Sequence, residues 1–329
     1  MNYKESTKIL AEIKKANKIL INCHRSPDPD SVGSALAMRR VLMHMGKSVE
    51  VICPNNVSSD SKFLNSSESI QKIDFDKFNF SAFDLFLILD SSEWSQVAGY
   101  GKEKIPEIKK IIIDHHRTNK KLGEINLVDF ERSSTGEILF RLFSDWEVKI
   151  TKEIAEDLLA GLIYDTSSLQ HPWADVGAAK TMARLMELGG DKNKIILNLY
   201  RNISLDQIKL LGEVLKNIKI DKEHRFIWSA IPYETVILYP DSSGVKSMAA
   251  SLFASSIADA DFGIIMVEEK KNFLNVSLRA KEGFDISEAA EALGGGGHKQ
   301  AAAAIIRDVA FDEAVEKALE AVRKYAKKD

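Results

Sequence analysis

Residues 110–116, with the sequence Lys-Ile-Ile-Ile-Asp-His-His, constrain the fold of this chain more than any other stretch. Three consecutive isoleucines are β-branched and stiff at χ1, which favours a strand that is buried on both faces. The polar triplet then lies at the carboxyl end of that strand, and in open α/β sheets ligands bind at this edge. The stretch therefore indicates a metal site or a catalytic site, with a polar strand end of no chemical role as the alternative.

Composition narrows the kind of ligand. At 329 residues the chain is long enough for a sizeable core, and domains of the usual size make two domains the first expectation. Lys and Arg number 45 against 48 Asp and Glu, which gives a formal net charge of -3. Because no overall basic field exists, we expect a small anionic ligand in a local pocket and no binding of long duplex nucleic acid.

The two cysteines and the apolar runs bear on the cell compartment. Cys23 and Cys53 each follow a strand-like run and form no Cys-x-x-Cys pair, so we expect buried, reduced thiols. The first residues lack the apolar core of a signal peptide, and no apolar run approaches the roughly 20 residues that span a bilayer. We therefore expect a soluble, cytoplasmic protein without a membrane partner.

Strands alternate with helices in the first half of the chain. We predict strands at 18–23, 48–53, 84–90 and 109–114, and alternation of this kind indicates a doubly wound parallel sheet. Between the first strand and the helix predicted at 31–45 lies a loop in which two prolines, Pro27 and Pro29, should exclude helix.

The second half has a different pattern. A polar helical stretch at 189–217 separates a first domain, 1–188, from a second domain, 218–329, which we predict to be a smaller mixed α/β unit. Within the second domain we expect a helix at 247–258. Residues 301–306, four alanines and two isoleucines, are ambiguous between helix and strand, and we favour a strand.

Acids and histidines follow the ends of the predicted strands and should meet in space. The set comprises His24, Asp28, Asp30, Asp90, Asp114, His115 and His116, with Asp165 at the end of a helix. Carboxylates only a few Å apart raise one another's pKa values, and divalent cations relieve that repulsion. Four carboxylates, those of Asp28, Asp30, Asp90 and Asp165, would balance two such ions. Oxygen and imidazole ligands without thiolate suit Mn²⁺, Fe²⁺ or Co²⁺ better than structural zinc.

The spacing of the acids suggests how two ions would be arranged. Asp28 and Asp30 flank Pro29 and can face different ions, while Asp90 arrives on its own strand and could bridge them. Two ions about 3.5 to 4 Å apart can activate a bridging water and clamp a phosphorus centre for in-line attack. The residues thus point to hydrolysis of a phosphate ester or anhydride.

The motifs resemble those of the DHH family of phosphoesterases. Residues 24–30 are similar to the family's first motif, Asp90 to its second, Asp114-His115-His116 to the one that names it, and Asp165-Thr166 to its fourth. The C-terminal part resembles the DHHA1 subgroup through Arg279 and residues 294–298, Gly-Gly-Gly-Gly-His. The resemblance covers nearly the whole chain.

The resemblance implies a role for each of these residues. The first of two Mn²⁺ ions, for which Co²⁺, Mg²⁺ or Fe²⁺ are alternatives, would have the ligands His24, Asp28 and Asp90. The second would have the ligands Asp30, Asp90, His115 and Asp165. Asp114 would orient a ligating histidine, and His116 would face the substrate phosphate or the leaving oxygen. The substrate would be held, in a cleft between the domains, by Arg279, Gly295, Gly296, Gly297 and His298. A cation and a glycine loop are suited to an anion on physical grounds as well.

Some positions depart from the family pattern or stay ambiguous. Gln96 stands where a basic residue is common, residues 167–171 replace a glycine-aromatic-basic pattern, and Ala303 stands where glycine is frequent. These changes leave the proposed metal ligands intact and bear on substrate preference. Residues 133–135 are chiefly a helix cap, with substrate contact as a secondary reading, and His171 could either reach the site or be structural.

Within the family, a chain of this length without extra domains resembles the nano-RNase group. That resemblance implies a Mn²⁺-dependent phosphodiesterase that hydrolyses short single-stranded oligoribonucleotides and linear dinucleotides (pApA, pGpG) to mononucleotides, with pAp 3′-phosphatase activity possible. The alternatives are a cyclic dinucleotide phosphodiesterase and a pyrophosphatase or polyphosphatase; a non-catalytic nucleotide-binding module should lack a ligand, and none is missing. The oligomeric state stays open, a homodimer included.

Overall fold

The computed structural model describes residues 2–102, 104–171, 173–254 and 256–328, which form two compact units. The units join between Asn202 and Ile203. This boundary falls within the stretch 189–217, and the helix on one side of it belongs to the first unit while the helix on the other side belongs to the second. The domain bounds given above stay predictions.

The first unit is built on a six-stranded parallel sheet. Its strands are β1 (Lys18–Asn22), β2 (Ser48–Cys53), β3 (Gln71–Lys72), β4 (Leu85–Leu89), β5 (Lys110–Asp114) and β6 (Ile125–Val128). Its helices are α1 (Ser6–Lys15), α2 (Pro29–His44), α3 (Trp94–Ala98), α4 (Thr135–Asp145), α5 (Lys152–Asp165), α6 (Val176–Glu187) and α7 (Lys192–Tyr200). The strand order is β3-β2-β1-β4-β5-β6. The predicted doubly wound parallel sheet is confirmed.

Both faces of this sheet are buried, which explains the continuous apolar runs. Alternate residues of β1 point to opposite sides, so that Ile19 and Ile21 enter one core while Leu20 enters the other. Every residue of β5 is buried. The chain leaves β1 toward β2 and later returns on the other side as β4, so a crevice opens between the carboxyl ends of β1 and β4.

The structure corrects two local predictions in this unit. Pro29 does not exclude helix, because it occupies the first helical position of α2, where the missing N–H group has no helical partner in any case. Asp30 consequently lies in the first turn of α2. Strand β6 escaped prediction because its four residues, of which only Leu127 is fully buried, are too few to show a clear period.

The second unit contains a six-stranded mixed sheet and a separate two-stranded sheet. The strands of this unit are β7 (Lys219–Asp221), β8 (Phe226–Ile231), β9 (Phe262–Lys270), β10 (Phe273–Ala280), β11 (Phe284–Asp285), β12 (Gly296–His298), β13 (Ala301–Arg307) and β14 (Lys327–Lys328). Its helices are α8 (Leu205–Lys216), α9 (Tyr233–Val236), α10 (Val245–Ala249), α11 (Ser287–Ala292) and α12 (Phe311–Tyr325). The order is β12-β13-β10-β9-β8-β7, and β11 pairs separately with β14. None of the helices described here is long and apolar enough to cross a membrane.

Two predictions in the second unit had different outcomes. The alanine-rich run does form a strand, β13, because its alternate residues pack into the core next to β10. The helix predicted at 247–258 is confirmed only in part: α10 begins at Val245 and ends at Ala249, and a π-helical turn, Ala250–Ala254, follows. That turn lies against Gly263 of β9, where an added Cβ atom would be 2.7 Å from the Cα atom of Ala254. Packing of this turn on the sheet therefore determines the backbone conformation of residues 250–254.

Helices α2 and α5 of the first unit pack with their backbones in close approach. A Cβ atom added to Gly33 of α2 would lie 2.2 Å from the carbonyl oxygen of Asp157 in α5, which no real contact allows. The only way to place a larger residue there is to separate the helices. Because α2 carries Asp30 and α5 ends at Asp165, this contact sets the distance between two candidate site residues.

Gly33→Ala should destabilise the first unit by about 1 to 3 kcal/mol through overpacking. Gly212→Ala is the matched control, because Gly212 lies in α8 with nothing within 4 Å of its added Cβ atom, and alanine should stabilise that helix by about 0.5 to 1 kcal/mol. Urea unfolding followed by circular dichroism measures both changes. Equal effects of the two substitutions would contradict the close contact of α2 and α5.

Candidate active site

The ends of three adjacent strands bring the predicted residues to the crevice of the first sheet. His24 follows β1, Asp90 follows β4, and β5 ends in Asp114 with His115 and His116 directly after it. Asp90 has a left-handed backbone, with φ 52°, a conformation that few residues other than glycine, asparagine and aspartate adopt readily. The parallel sheet therefore delivers acids and imidazoles to one point.

Helices α2 and α4 supply and hold two further acids. The side chain of Asp28 caps α2, since its Oδ1 atom accepts hydrogen bonds from the N–H groups of Asp30 and Ser31, both 3.0 Å long. The buried carboxylate of Asp30 accepts from the N–H groups of Thr135, at 2.7 Å, and Gly136, at 3.0 Å. These are the first two residues of α4, so the positive end of that helix faces the Asp30 carboxylate.

Asp90 lies between two imidazole rings. Its Oδ2 atom is 3.4 Å from Nε2 of His24, and its Oδ1 atom is 3.5 Å from Nε2 of His115. His24 Nε2 is also 3.5 Å from Oδ2 of Asp28, and His115 Nε2 is 3.4 Å from Oδ2 of Asp165. Each oxygen of Asp90 thus belongs to a different cluster, and the carboxylate joins the two clusters.

Three groups of side chains could each hold a cation, because their ligand atoms lie within 4.8 Å of one another. The groups are His24, Asp28 and Asp90; Asp30, His115 and Asp165; and Asp90, His115 and His116. The members are buried or half-buried, and the donors are carboxylate oxygens and imidazole nitrogens only. Such donors fit a divalent cation of intermediate hardness. These groups take in seven of the eight side chains that the sequence places in the first domain's site, and the eighth, Asp114, contacts the ring of His116.

Hydrogen bonds leave the inner nitrogen of His24 free to act as a ligand. Nδ1 of His24 is 2.8 Å from the carbonyl oxygen of Arg25, and because a carbonyl only accepts, this nitrogen carries the proton. Although burial opposes it, contacts with Asp28 and Asp90 raise the pKa of His24 well above its ordinary value, so a cation would displace a proton from Nε2 before that atom acts as a ligand. The imidazole of His24 is thus held by a backbone oxygen in the tautomer that a metal ligand needs.

The carboxylates repel one another strongly. Burial raises the pKa of Asp30 well above its usual value, and the charges of Asp90 and Asp28 raise it further. Burial and the charges of Asp30 and Asp28 likewise raise the pKa of Asp165 well above its usual value. The pKa of Asp28 is lowered, since His24 and backbone N–H groups outweigh its burial. This uncompensated negative charge calls for cations between the acids.

Asp114 contacts both histidines of the motif, and its predicted role of orienting a ligating histidine stays a prediction. The Oδ1 atom of Asp114 is 2.7 Å from Nδ1 of His116 and accepts the backbone N–H of His115 at 2.9 Å. Its Oδ2 atom accepts from the amide of Asn119 at 2.6 Å. Although burial opposes it, the contact with Asp114 and the charge of Asp90 raise the pKa of His116 to about 9. Asp114 therefore fixes the ring of His116 and favours its protonated form.

Sequence reasoning missed three residues that shape this site. Thr135, which we predict as part of a helix cap, donates its hydroxyl to Oδ1 of Asp90 at 3.1 Å. Asn119 supports Asp114 as described above. Gly161 admits Asp30, because a Cβ atom at this position would lie 2.2 Å from Oδ1 of that residue. A glycine in the middle of an apolar helix was the available signal for a close approach.

The departures at Gln96 and residues 167–171 have clear structural partners. The side-chain oxygen of Gln96 accepts from the N–H of Ser92 at 2.7 Å. The backbone carbonyl oxygen of Gln96 accepts from the N–H of Arg25, also at 2.7 Å. It thereby ties the loop after β4 to the loop after β1. His171 contacts the Ser167 hydroxyl through Nε2 at 2.8 Å and stacks on Trp173.

The residues predicted to bind substrate lie in the second unit. Arg279 is on β10, half-buried, with one guanidinium nitrogen 2.8 Å from the carbonyl oxygen of Leu278. Gly295 and Gly297 lie so close to β13 that a Cβ atom on either would clash with its backbone. Gly296 pairs with Ala303. The side chain of His298 lies outside what the structure describes.

Neutralising one acid of the cluster should have opposite effects with and without cations. Since the raised pKa of Asp165 means that its charged form opposes folding at neutral pH, Asp165→Asn should raise the melting temperature in EDTA. Added Mn²⁺ should stabilise the wild type by about 2.7 kcal/mol at a hundredfold excess over its Kd, and the variant much less. Differential scanning calorimetry measures both. An unchanged gain from Mn²⁺ in the variant would remove Asp165 from the cation site.

Comparisons with known proteins find similarity along nearly the whole chain. The bifunctional oligoribonuclease and PAP phosphatase NrnA of Thermus thermophilus is 27% identical over 326 residues, which is 98% of this chain and 94% of that protein. The protein of the same name from Bacillus subtilis is 23% identical over 94% of this chain and 95% of its own length. The cyclic-di-AMP phosphodiesterase PdeA of Listeria monocytogenes is 26% identical over 96% of this chain, but the match covers 49% of PdeA.

Structural and family comparisons complete the assignment. An exopolyphosphatase-related protein from Bacteroides fragilis has the same fold, with a TM-score of 0.86, 26% identity and coverage of 98% of this chain and 96% of that chain. Residues 18–162 match the model of the DHH family, N-terminal domain, and residues 240–328 match that of the DHHA1 domain. Together these matches take in well over half of the sequence. The chain therefore belongs to the DHH family of phosphoesterases and carries a DHHA1 domain.

Proposed function

We propose that this protein is a Mn²⁺-dependent phosphodiesterase of the cytoplasm that converts short single-stranded oligoribonucleotides and linear dinucleotides to mononucleotides. The observation that carries the proposal is the position of Asp90, whose two oxygens face the imidazoles of two adjacent acid clusters. Support comes from full-length similarity to oligoribonuclease and PAP phosphatase relatives. A 3′-phosphatase activity on pAp is part of the proposal, and the protein would act as a monomer or a homodimer.

The ligand sets follow the clusters of the first unit. One cation would have the ligands His24, Asp28 and Asp90, and the other the ligands Asp30, Asp90, His115 and Asp165. The donors contain no thiolate, because Cys23 and Cys53 are buried free thiols whose sulfur atoms face backbone groups. Mn²⁺ suits such a mixture of oxygen and nitrogen, with Co²⁺, Fe²⁺ and Mg²⁺ as candidates to compare. When bound, two cations would activate a water and stabilise charge on the phosphate.

His116 would serve the leaving group. Its Nδ1 atom lies 2.7 Å from Oδ1 of Asp114, which fixes the ring beside the acid cluster. In hydrolysis of pApA, a water oxygen bonds to phosphorus, the bond from phosphorus to the 3′ oxygen breaks, and that oxygen needs a proton. A protonated imidazole held in one orientation can supply this proton, and both products are then 5′-phosphorylated mononucleotides.

The second unit would bind the rest of the nucleotide. Arg279 offers a guanidinium group, which suits bidentate contact with a phosphate. The backbone N–H groups of residues 295–297 would bind an anion, and His298 would add a further contact. Because the chain has a net charge of -3, these local groups fit a substrate with few phosphates better than a long polymer.

A panel of substrates tests the proposed activity directly. With Mn²⁺ present, we expect fast turnover of pApA and pGpG, slower turnover of longer oligoribonucleotides, and release of phosphate from pAp. Cyclic di-AMP and pyrophosphate should be poor substrates. Product chromatography measures all of them under one condition. Hydrolysis of pyrophosphate without attack on pApA would refute the proposal and favour a pyrophosphatase.

Two substitutions separate the metal role from the substrate role. Asp90→Ala should abolish turnover and lower the number of bound cations, because it removes the shared ligand. Arg279→Ala should raise KM by tenfold or more while Mn²⁺ binding stays unchanged, since a charge-assisted hydrogen bond to phosphate is worth about 1.5 to 3 kcal/mol. Arg307→Ala, an exposed arginine on β13, is the control and should be neutral. Isothermal titration and steady-state kinetics measure the two effects, and loss of cation binding in Arg279→Ala would contradict its role.

A further inference from the structure

The segment that follows Asp165 adopts an unusual backbone beside the candidate active site. Three consecutive residues, Ser167, Ser168 and Leu169, have left-handed φ values of 46°, 59° and 68°. Such a run is rare outside glycine, and packing around it must hold it in place. The N–H group of His171 bonds back to the carbonyl of Thr166 at 3.2 Å. The chain therefore folds back on itself directly after the acid cluster.

This turn places the indole ring of Trp173 against the backbone of the site. Its Nε1 atom donates to the carbonyl oxygen of Asp165 at 3.3 Å. The carbonyl oxygen of Trp173 accepts from the hydroxyl of Ser133 at 3.1 Å. Ser133 comes immediately before the residue that caps α4, the helix whose first N–H groups hold Asp30. Trp173 is thus fixed to two segments that build the acid cluster.

The ring is supported on one side and open elsewhere. The imidazole of His171 stacks on it with 4.3 Å between ring centroids and 19° between planes. Trp173 nevertheless remains 47% exposed, which makes it the most exposed of the four tryptophans, whereas Trp94 is 7% exposed. A large aromatic face held in a fixed orientation and left open to solvent is typical of a binding surface.

We propose that Trp173, supported by His171, is the stacking surface for a nucleobase of the substrate. The inference rests on the proposed function and names a group that selects nucleotides over inorganic phosphates. The acid cluster would bind the cations that act on the phosphate. The indole, which is bonded to the backbone carbonyl oxygen of Asp165, can stack on the flat base of the same molecule. Stacking accepts any base, so the surface favours nucleotides without choosing among sequences.

The test compares a substrate that has two bases with one that lacks a base. Trp173→Ala should raise KM for pApA about tenfold, in line with the loss of one base–aromatic stack, and Trp173→Phe should retain most of the affinity. Turnover of a dinucleotide with one abasic nucleotide should respond much less to Trp173→Ala. Stabilisation by Mn²⁺ should be unchanged in both variants, which checks that the Asp165 site is intact.

Two outcomes would overturn the inference. One is an unchanged KM for pApA in Trp173→Ala; the other is an equal loss on the abasic and the complete dinucleotide, which would mean that Trp173 only supports the loop. Quenching of tryptophan fluorescence by AMP gives an independent measurement, and Trp173→Phe should lose most of it. This measurement decides the inference even if the wild type cleaves only pyrophosphate, a result that would refute the proposed function separately.

Discussion

Repulsion between buried carboxylates is the constraint on which the rest of the first unit depends. Asp28, Asp30, Asp90 and Asp165 converge at one crevice, and burial there strengthens every interaction between charges. The fold compensates part of this charge with backbone dipoles, since Asp28 caps α2 and Asp30 accepts from the first N–H groups of α4. The remaining negative charge is what makes this crevice suited to divalent cations.

Close backbone packing makes the convergence possible. Gly33 and Gly161 allow α2 and α5 to approach until a carboxylate of one helix meets the backbone of the other. Glycine weakens a helix interior, so its presence at two such positions indicates that proximity matters more here than local helix stability. The distance between Asp30 and Asp165 is therefore set by residues that carry no chemistry.

The sequence is informative about this protein wherever a feature is local. Parallel strands follow from apolar runs, and the place of Asp90 and His115 follows from the rule that strand ends meet at one edge. Contacts between distant segments could not be predicted in this way. The π-helical turn at 250–254 depends on its contact with β9, and the hydrogen bond from Thr135 to Asp90 joins residues that are 45 positions apart. The position of Trp173 is of the same kind, since its backbone carbonyl oxygen accepts a hydrogen bond from Ser133, 40 residues away.

The two adjacent histidines show how one strand end can produce two different groups. Their rings are 4.5 Å apart at 63°, and burial together with the charge of His116 lowers the pKa of His115. His116 instead contacts Asp114, which raises its pKa to about 9, against the effect of burial. The two environments thus move the pKa values of neighbouring imidazoles in opposite directions, the kind of difference from which separate acid and base roles arise. Asp114 contacts both residues, since it accepts the backbone N–H of His115 and lies 2.7 Å from the ring of His116.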